Sequence, residues 1–192
     1  MSKSEGRIPA AVAWNVAERL RERLGPTCTH FEIAGSLRRR LDAVGDVDVV
    51  CVPRMEGPLG VLPGLGNAAP VSFEREVDAI VAGSNGAITY EVNGPAIKRL
   101  RILLKDGATI KADIYVTLDP TQFPVLLLIR TGSARHNAWL SGLARDQGMR
   151  LGADGLKQDG QLLACASEAA IFAQLGLGYR EPWMRVYDED NG

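Results

Sequence analysis

Three aspartates and a glycine–serine pair are the residues best suited, by type and spacing, to do chemistry. Asp46 and Asp48 stand two apart in a run of β-forming residues, Asp46-Val47-Asp48-Val49-Val50-Cys51-Val52. Alternation along a strand points both carboxylates to one face, about 6.5 Å apart, and turns Val47 and Val49 toward a core on the other. Two converging carboxylates are acceptors for a hard divalent cation such as Mg²⁺. An Asp-x-Asp pair alone also fits a strand whose polar face meets solvent, so its surroundings decide. Asp113 recurs in a later alternating run, Ile110-Lys111-Ala112-Asp113-Ile114-Tyr115-Val116, on the face away from the apolar row. If the two strands are neighbours, three carboxylates can hold two cations about 3.5–4 Å apart, the geometry of in-line phosphoryl displacement. Gly35-Ser36 closes the strand before Asp46. A glycine there lets the backbone approach an anion, and the Ser36 hydroxyl can meet a phosphate. Arg39 follows within reach of the same pocket and can neutralise phosphate charge. Arg38 and Arg40 read equally well as a solvated basic turn or as substrate contacts.

Other candidates carry less. The glycines of residues 57–66 lack the Gly-Lys-Ser/Thr ending of a phosphate-binding Walker loop and read as a plain loop. His30 and His136 are the only histidines, too few for a zinc site or a Ser-His-Asp machine, and His136 reads as a surface or packing residue. Trp14, Trp139 and Trp183 are expected in the core. Cys28, Cys51 and Cys165 are widely spaced, which argues for buried free thiols and a reducing, cytoplasmic setting. The 192 residues carry 46% hydrophobic side chains and a formal net charge of −1. That supports a full core and excludes coating of nucleic acid by bulk charge, while a local arginine-lined groove stays open. Neither a signal peptide nor a membrane-spanning segment is expected.

These residues need elements to hold them. Residues 9–24 read as a helix with Val12, Val16, Leu20 and Leu24 on one face, stopped by Gly25-Pro26. Residues 30–34 and 46–52 read as strands joined by a turn over 35–45, and residues 56–70 as a surface loop. A short helix over 73–82 precedes strands over 88–92, 97–104 and 109–117, giving a mixed or mostly antiparallel sheet with helices on one side. Helices follow over 122–130 and 133–147, then a small hairpin over 149–165 and a last helix over 167–175 with Ser167 as its cap. The class is α+β, divided near residue 120 into segments 1–120 and 121–192.

The pattern resembles the palm of family X DNA polymerases, the DNA polymerase beta group. Ala34-Gly35-Ser36-Leu37-Arg38-Arg39 followed by Val44-Gly45-Asp46-Val47-Asp48-Val49 is similar to the Gly-Ser … Asp-x-Asp signature of the nucleotidyltransferase superfamily. Ile129-Arg130-Thr131-Gly132-Ser133 and Tyr179-Arg180-Glu181-Pro182 resemble family X motifs of the thumb. The resemblance implies a nucleotidyltransferase palm over 1–120 and a thumb over 121–192, with two Mg²⁺ or Mn²⁺ ions as cofactors. It implies that Asp46 and Asp48 bind both metals, and that Asp113 binds the catalytic one and helps activate a primer 3′-hydroxyl. Gly35, Ser36, Arg39 and Gly45 would serve the triphosphate, Thr131 and Gly132 the sugar, Asn137 the base edge, and Lys111 the primer. Partners would be a nucleoside triphosphate and primer-template or gapped DNA, with no membrane.

Ile129 and Arg130 stand where the family has an aromatic pair, and Ser141 where it often has an arginine. These departures leave open the choice of sugar and the use of a template. The expected activity is short-gap filling in DNA repair; the alternative is untemplated nucleotidyl transfer to a nucleic-acid end or another acceptor. A catalytically silent accessory protein is opposed by the presence of all three aspartates. Residues 1–34 hold no lyase or helix-hairpin-helix module of that family, so the expectation is a minimal palm-plus-thumb form aided by an accessory DNA-binding protein.

Overall fold

Residues 6–57 and 68–186 are described by a computed structural model. The expected loop over 56–70 therefore lies mostly outside the described residues. β1 (Ile8–Pro9) runs straight into α1 (Ala10–Leu24). Pro9 suits a helix start, and Gly25-Pro26 turn the chain into a short 3-10 helix at its end. The buried stripe of α1 is Ala13, Ala17, Leu20 and Leu24. Val12 is exposed and Val16 half-buried, so the stripe is rotated from the one expected through the valines. Alanines at the contact let the helix sit close to the sheet.

β2 (Cys28–Ile33) leads to α2 (Gly35–Arg38), β3 (Ala43–Val44) and β4 (Asp46–Pro53). The stretch expected as a turn thus contains one helical turn and a strand that pairs with β1. α3 (Val71–Ala82), β5 (Ile88–Asn93), β6 (Ile97–Leu103) and β7 (Thr109–Val116) follow. The five-stranded sheet has the order β2-β4-β7-β6-β5; β4 and β7 are parallel and the other pairs antiparallel. One face carries Val47, Val49 and Cys51 of β4 with Ala112 and Ile114 of β7, packed under Ala17 and Leu20 of α1 and Phe73 and Val77 of α3.

The other face is only half covered. α4 (Phe123–Thr131) lays Phe123, Leu126 and Leu127 on Val50 and Val52, so helices lie on both sides of the sheet rather than one. The remaining face of α4, Val125 and Leu128, enters a second core with α5 (Ala134–Asp146) and α6 (Glu168–Gln174). A helix that feeds two cores is apolar all round, which explains its sequence. β8 (Met149–Gly152), β9 (Gly155–Gln158) and β10 (Gln161–Leu162) form a three-stranded sheet where a hairpin was expected. Ser133 and Ser167 cap α5 and α6 by accepting from the His136 and Ala170 amides. Among the described residues no helix is long and apolar enough to cross a membrane.

Candidate active site

Asp46 and Asp48 lie at the start of β4, on the half of the sheet face that α4 leaves open. Parallel pairing sets Asp48 opposite Asp113 and Asp46 opposite Lys111 on the adjoining strand. Period-2 alternation then gives Asp46, Asp48 and Asp113 one face, while Val47, Val49 and Ala112 enter the core. The two strands are neighbours, the condition on which the three carboxylates could share a face. Burial raises the Asp46 and Asp48 carboxyls, with further repulsion from Asp113 on Asp46 and from Asp46 and Asp113 on Asp48. Asp48 is pushed up to about 7 despite the opposing charges of Arg130 and Arg39. Acids held this way gain from a cation placed among them.

Gly35 explains itself here. It has φ +60°, and a Cβ on it would stand 2.0 Å from Asp48 Oδ2. The anion that its bare backbone admits is the site's own carboxylate. Ser36 Oγ is buried and, among the described residues, has no hydrogen-bond partner, an orphaned hydroxyl beside these acids. Ser36, Arg39, Gly45 and Asp46 line one cavity of about 240 Å³. Arg7 lines it too, a residue that sequence reasoning missed because nothing local marks it. Arg39 Nη1 donates to the Thr131 carbonyl, and Arg38 Nη1 to Thr131 Oγ1 at 2.7 Å. Gly132, at φ +73°, leaves room for Arg39: a Cβ there would lie 3.0 Å from its Nη1. Thr131-Gly132 are thereby tied to the Gly35-Ser36 turn.

The acids have cationic neighbours. Arg99 of β6, opposite Asp113, makes a two-pronged contact with it, Nε to Oδ1 at 2.6 Å and Nη2 to Oδ2 at 2.7 Å. Tyr115 donates its hydroxyl to Asp113 Oδ2 at 3.1 Å. The Arg130 guanidinium lies 3.9 Å from the centre of the Tyr115 ring. Lys111 pairs with Glu91 at 3.6 Å, and Arg101 also pairs with Glu91. Asn137 donates to the Ile129 carbonyl at 2.7 Å.

The donor chemistry fits a hard divalent ion: three carboxylates on one face and an unpartnered hydroxyl nearby. Asp46, Asp48 and Asp113 are the residues that would hold it. Among the described residues, however, no three His, Cys, Asp or Glu side chains are gathered as a ready-made metal group. Asp113 instead spends both oxygens on Arg99.

Arg38 and Arg40 resolve differently. Arg38 grips Glu168 of α6 with two prongs, at 2.9 and 2.6 Å, so it is a structural link rather than a solvated turn residue. Arg185, 0% exposed, adds a bond to Glu168 Oε1 at 2.8 Å. Burial alone would raise the Glu168 carboxyl; the bonds from Arg38 and Arg185 outweigh it and hold the acid below its ordinary value. Arg40 is exposed and stacks 3.8 Å from the Trp183 ring centre. Trp183 and Trp14 are exposed at 42% and 37%, against the expected core placement, and Trp139 is half-buried. His136 is fully buried against Trp139 and Phe172, and burial with Arg185 nearby pushes it down to about 4. It is a neutral packing residue. The three cysteines are buried and free, as expected.

Comparison with known proteins points the same way. The family description "DNA polymerase beta thumb" matches residues 126–186. Rat (Rattus norvegicus) DNA polymerase lambda is 31% identical over 165 residues, covering 77% of this chain. The chain spans only 27% of that relative's length. Together the matches support a family X polymerase-like protein, and the thumb match fits a palm-plus-thumb arrangement of this α+β fold.

Proposed function

We propose that this family X polymerase-like chain is a metal-dependent DNA polymerase that adds deoxynucleotides to a primer 3′-hydroxyl and fills short gaps during repair. The observation that carries this reading is the pairing of Asp48 with Asp113 beside the cavity lined by Ser36 and Arg39. Phosphoryl transfer asks for positioning and charge neutralisation more than for covalent chemistry, and these groups supply both. Bound Mg²⁺ or Mn²⁺ ions would neutralise charge on the attacking and leaving oxygens. Asp46 and Asp48 would hold both ions, and Asp113 would hold one ion and orient the hydroxyl. Ser36, Arg39 and Arg7 would receive the β and γ phosphates, with Gly45 leaving space for them. Thr131 and Gly132 would border the sugar. Asn137 would reach the edge of the base, and Lys111 would lie near the primer. Residues 1–120 would act as palm and 121–192 as thumb, with α4 as the joint. With a net charge of −1, grip on DNA would come from an accessory DNA-binding protein.

One observation favours a second reading, untemplated transfer with relaxed sugar selectivity. The Arg130 guanidinium, rather than an aromatic ring, stands over Tyr115 beside Asp48. A charged, hydrogen-bonding group there would tolerate a 2′-hydroxyl that a flat apolar ring rejects. Both readings meet in one assay: extension of labelled gapped, blunt and single-stranded primers with each dNTP and rNTP, in Mg²⁺ and Mn²⁺ at low salt. The first reading expects template-matched dNTP addition at gaps. Addition that ignores the template base replaces it with the second, and no addition on any substrate overturns both.

A further inference from the structure

Arg99 sits on β6 directly opposite Asp113, its guanidinium fork matched to both carboxylate oxygens at 2.6 and 2.7 Å. The pair is unequal in exposure: the Asp113 side chain is 6% exposed and that of Arg99 35%. The arginine therefore lies over the carboxylate from the solvent side. Tyr115 takes a further lone pair on Oδ2. A carboxylate offers about four acceptor positions, and three are already in use. Asp46 and Asp48 differ, since among the described residues no such two-pronged partner holds either of them.

We infer that Arg99 is a built-in competitor for the divalent cation at Asp113, a positioning residue that sets how much metal the site requires. The inference rests on the metal-dependent reading above. A fork-to-fork arginine pair fixes the carboxylate plane and neutralises its charge, the two things a hard cation needs from it. An ion reaching Asp113 has one acceptor position open to it, on Oδ1; it must bind there against the repulsion of the guanidinium, or displace a prong of Arg99 to gain more. Because Arg99 is partly exposed on a flexible stem, it can swing outward without disturbing the sheet. Arg99 thus keeps three crowded acids compatible with the folded chain until the ion arrives, at the expense of affinity.

Mn²⁺ binding to the isolated protein, followed by electron paramagnetic resonance of free Mn²⁺, tests this without any turnover. Arg99→Gln is expected to tighten Mn²⁺ binding on the order of tenfold, comparable in size but opposite in sign to the loss that follows when a supporting group just outside a metal's ligands is removed. Arg99→Lys, which keeps the charge and loses the fork, is expected to fall between. Tyr115→Phe removes a neutral hydrogen bond and is expected to change affinity least. In an Asp113→Asn background, Arg99→Gln is expected to have no effect, because the carboxylate being contested is gone; thermal melting of each variant confirms folding. Unchanged or weaker binding in Arg99→Gln overturns the inference and makes Arg99 an orienting group instead. If wild type binds no Mn²⁺ that Asp48→Asn abolishes, the metal-dependent reading itself fails, which is a separate result.

Discussion

Two clusters in this chain are made of carboxylates and arginines, paired in different ways. At the open half of the sheet, Asp46, Asp48 and Asp113 crowd one face, and the Asp46 and Asp48 carboxyls are raised. Where α2 meets α6, a single acid, Glu168, is shared by Arg38 and Arg185, and its carboxyl is lowered. Burial acts on both in the same direction. What differs is direct pairing: Glu168 takes hydrogen bonds from two arginines that outweigh its burial, while the charges of Arg39 and Arg130 do not offset the burial of Asp48. An unsatisfied cluster on an open face is where a charged ligand gains binding energy; a satisfied one between two cores gains only from staying shut.

The comparison can be broken most forcefully at Glu168. Glu168→Ala leaves Arg185 buried with its charge unanswered, and a loss of about 3–5 kcal/mol of stability is expected from chemical denaturation. A loss below about 1 kcal/mol would mean the cluster behaves as an exposed pair and holds nothing together.

A smaller effect is the pH dependence of the metal-free protein. Asp48 is pushed from 3.8 to about 7, so its contribution is fully present below about pH 3.8 and is lost as pH rises through about 7. Glu168 is held below 4.5, so its contribution is present above that value and is lost as pH falls through its lowered value. Melting temperatures from pH 3 to 8 are expected to show opposing slopes. Asp48→Asn should flatten the decline on the neutral side, and Glu168→Gln the decline on the acid side. Identical profiles for the two variants would erase the distinction between the clusters.

That Asp46, Asp48 and Asp113 share one face was legible in sequence because its signals are local. Alternation around Asp46, Asp48 and Asp113 follows from strand geometry, and Gly35-Ser36 marks a turn that few residues can make. The caps at Ser133 and Ser167 are equally local. Arg99 was not legible: it meets Asp113 only through cross-strand register, which no short motif encodes. Arg38 finds Glu168 across 130 positions of chain, so a basic turn could not be told from an interior link. Trp183 and Trp14 misled because tryptophan's size favours the core, whereas Trp183 is laid over Arg40 at the surface. The α1 stripe was misjudged for a related reason: hydrophobicity favoured the valines, but packing favoured the smaller alanines.

The most direct test of the central claim, that the under-compensated acids perform metal-dependent nucleotidyl transfer, is Asp48→Asn beside wild type in the primer-extension assay, with Mg²⁺, with Mn²⁺ and with a chelator. The account predicts addition by wild type that the chelator stops. It predicts a fall of at least about 10³-fold in the variant, the upper range for one preorganised electrostatic group, with melting temperature unchanged or raised. A folded Asp48→Asn protein that still extends primers, or wild-type addition that survives the chelator, would contradict it.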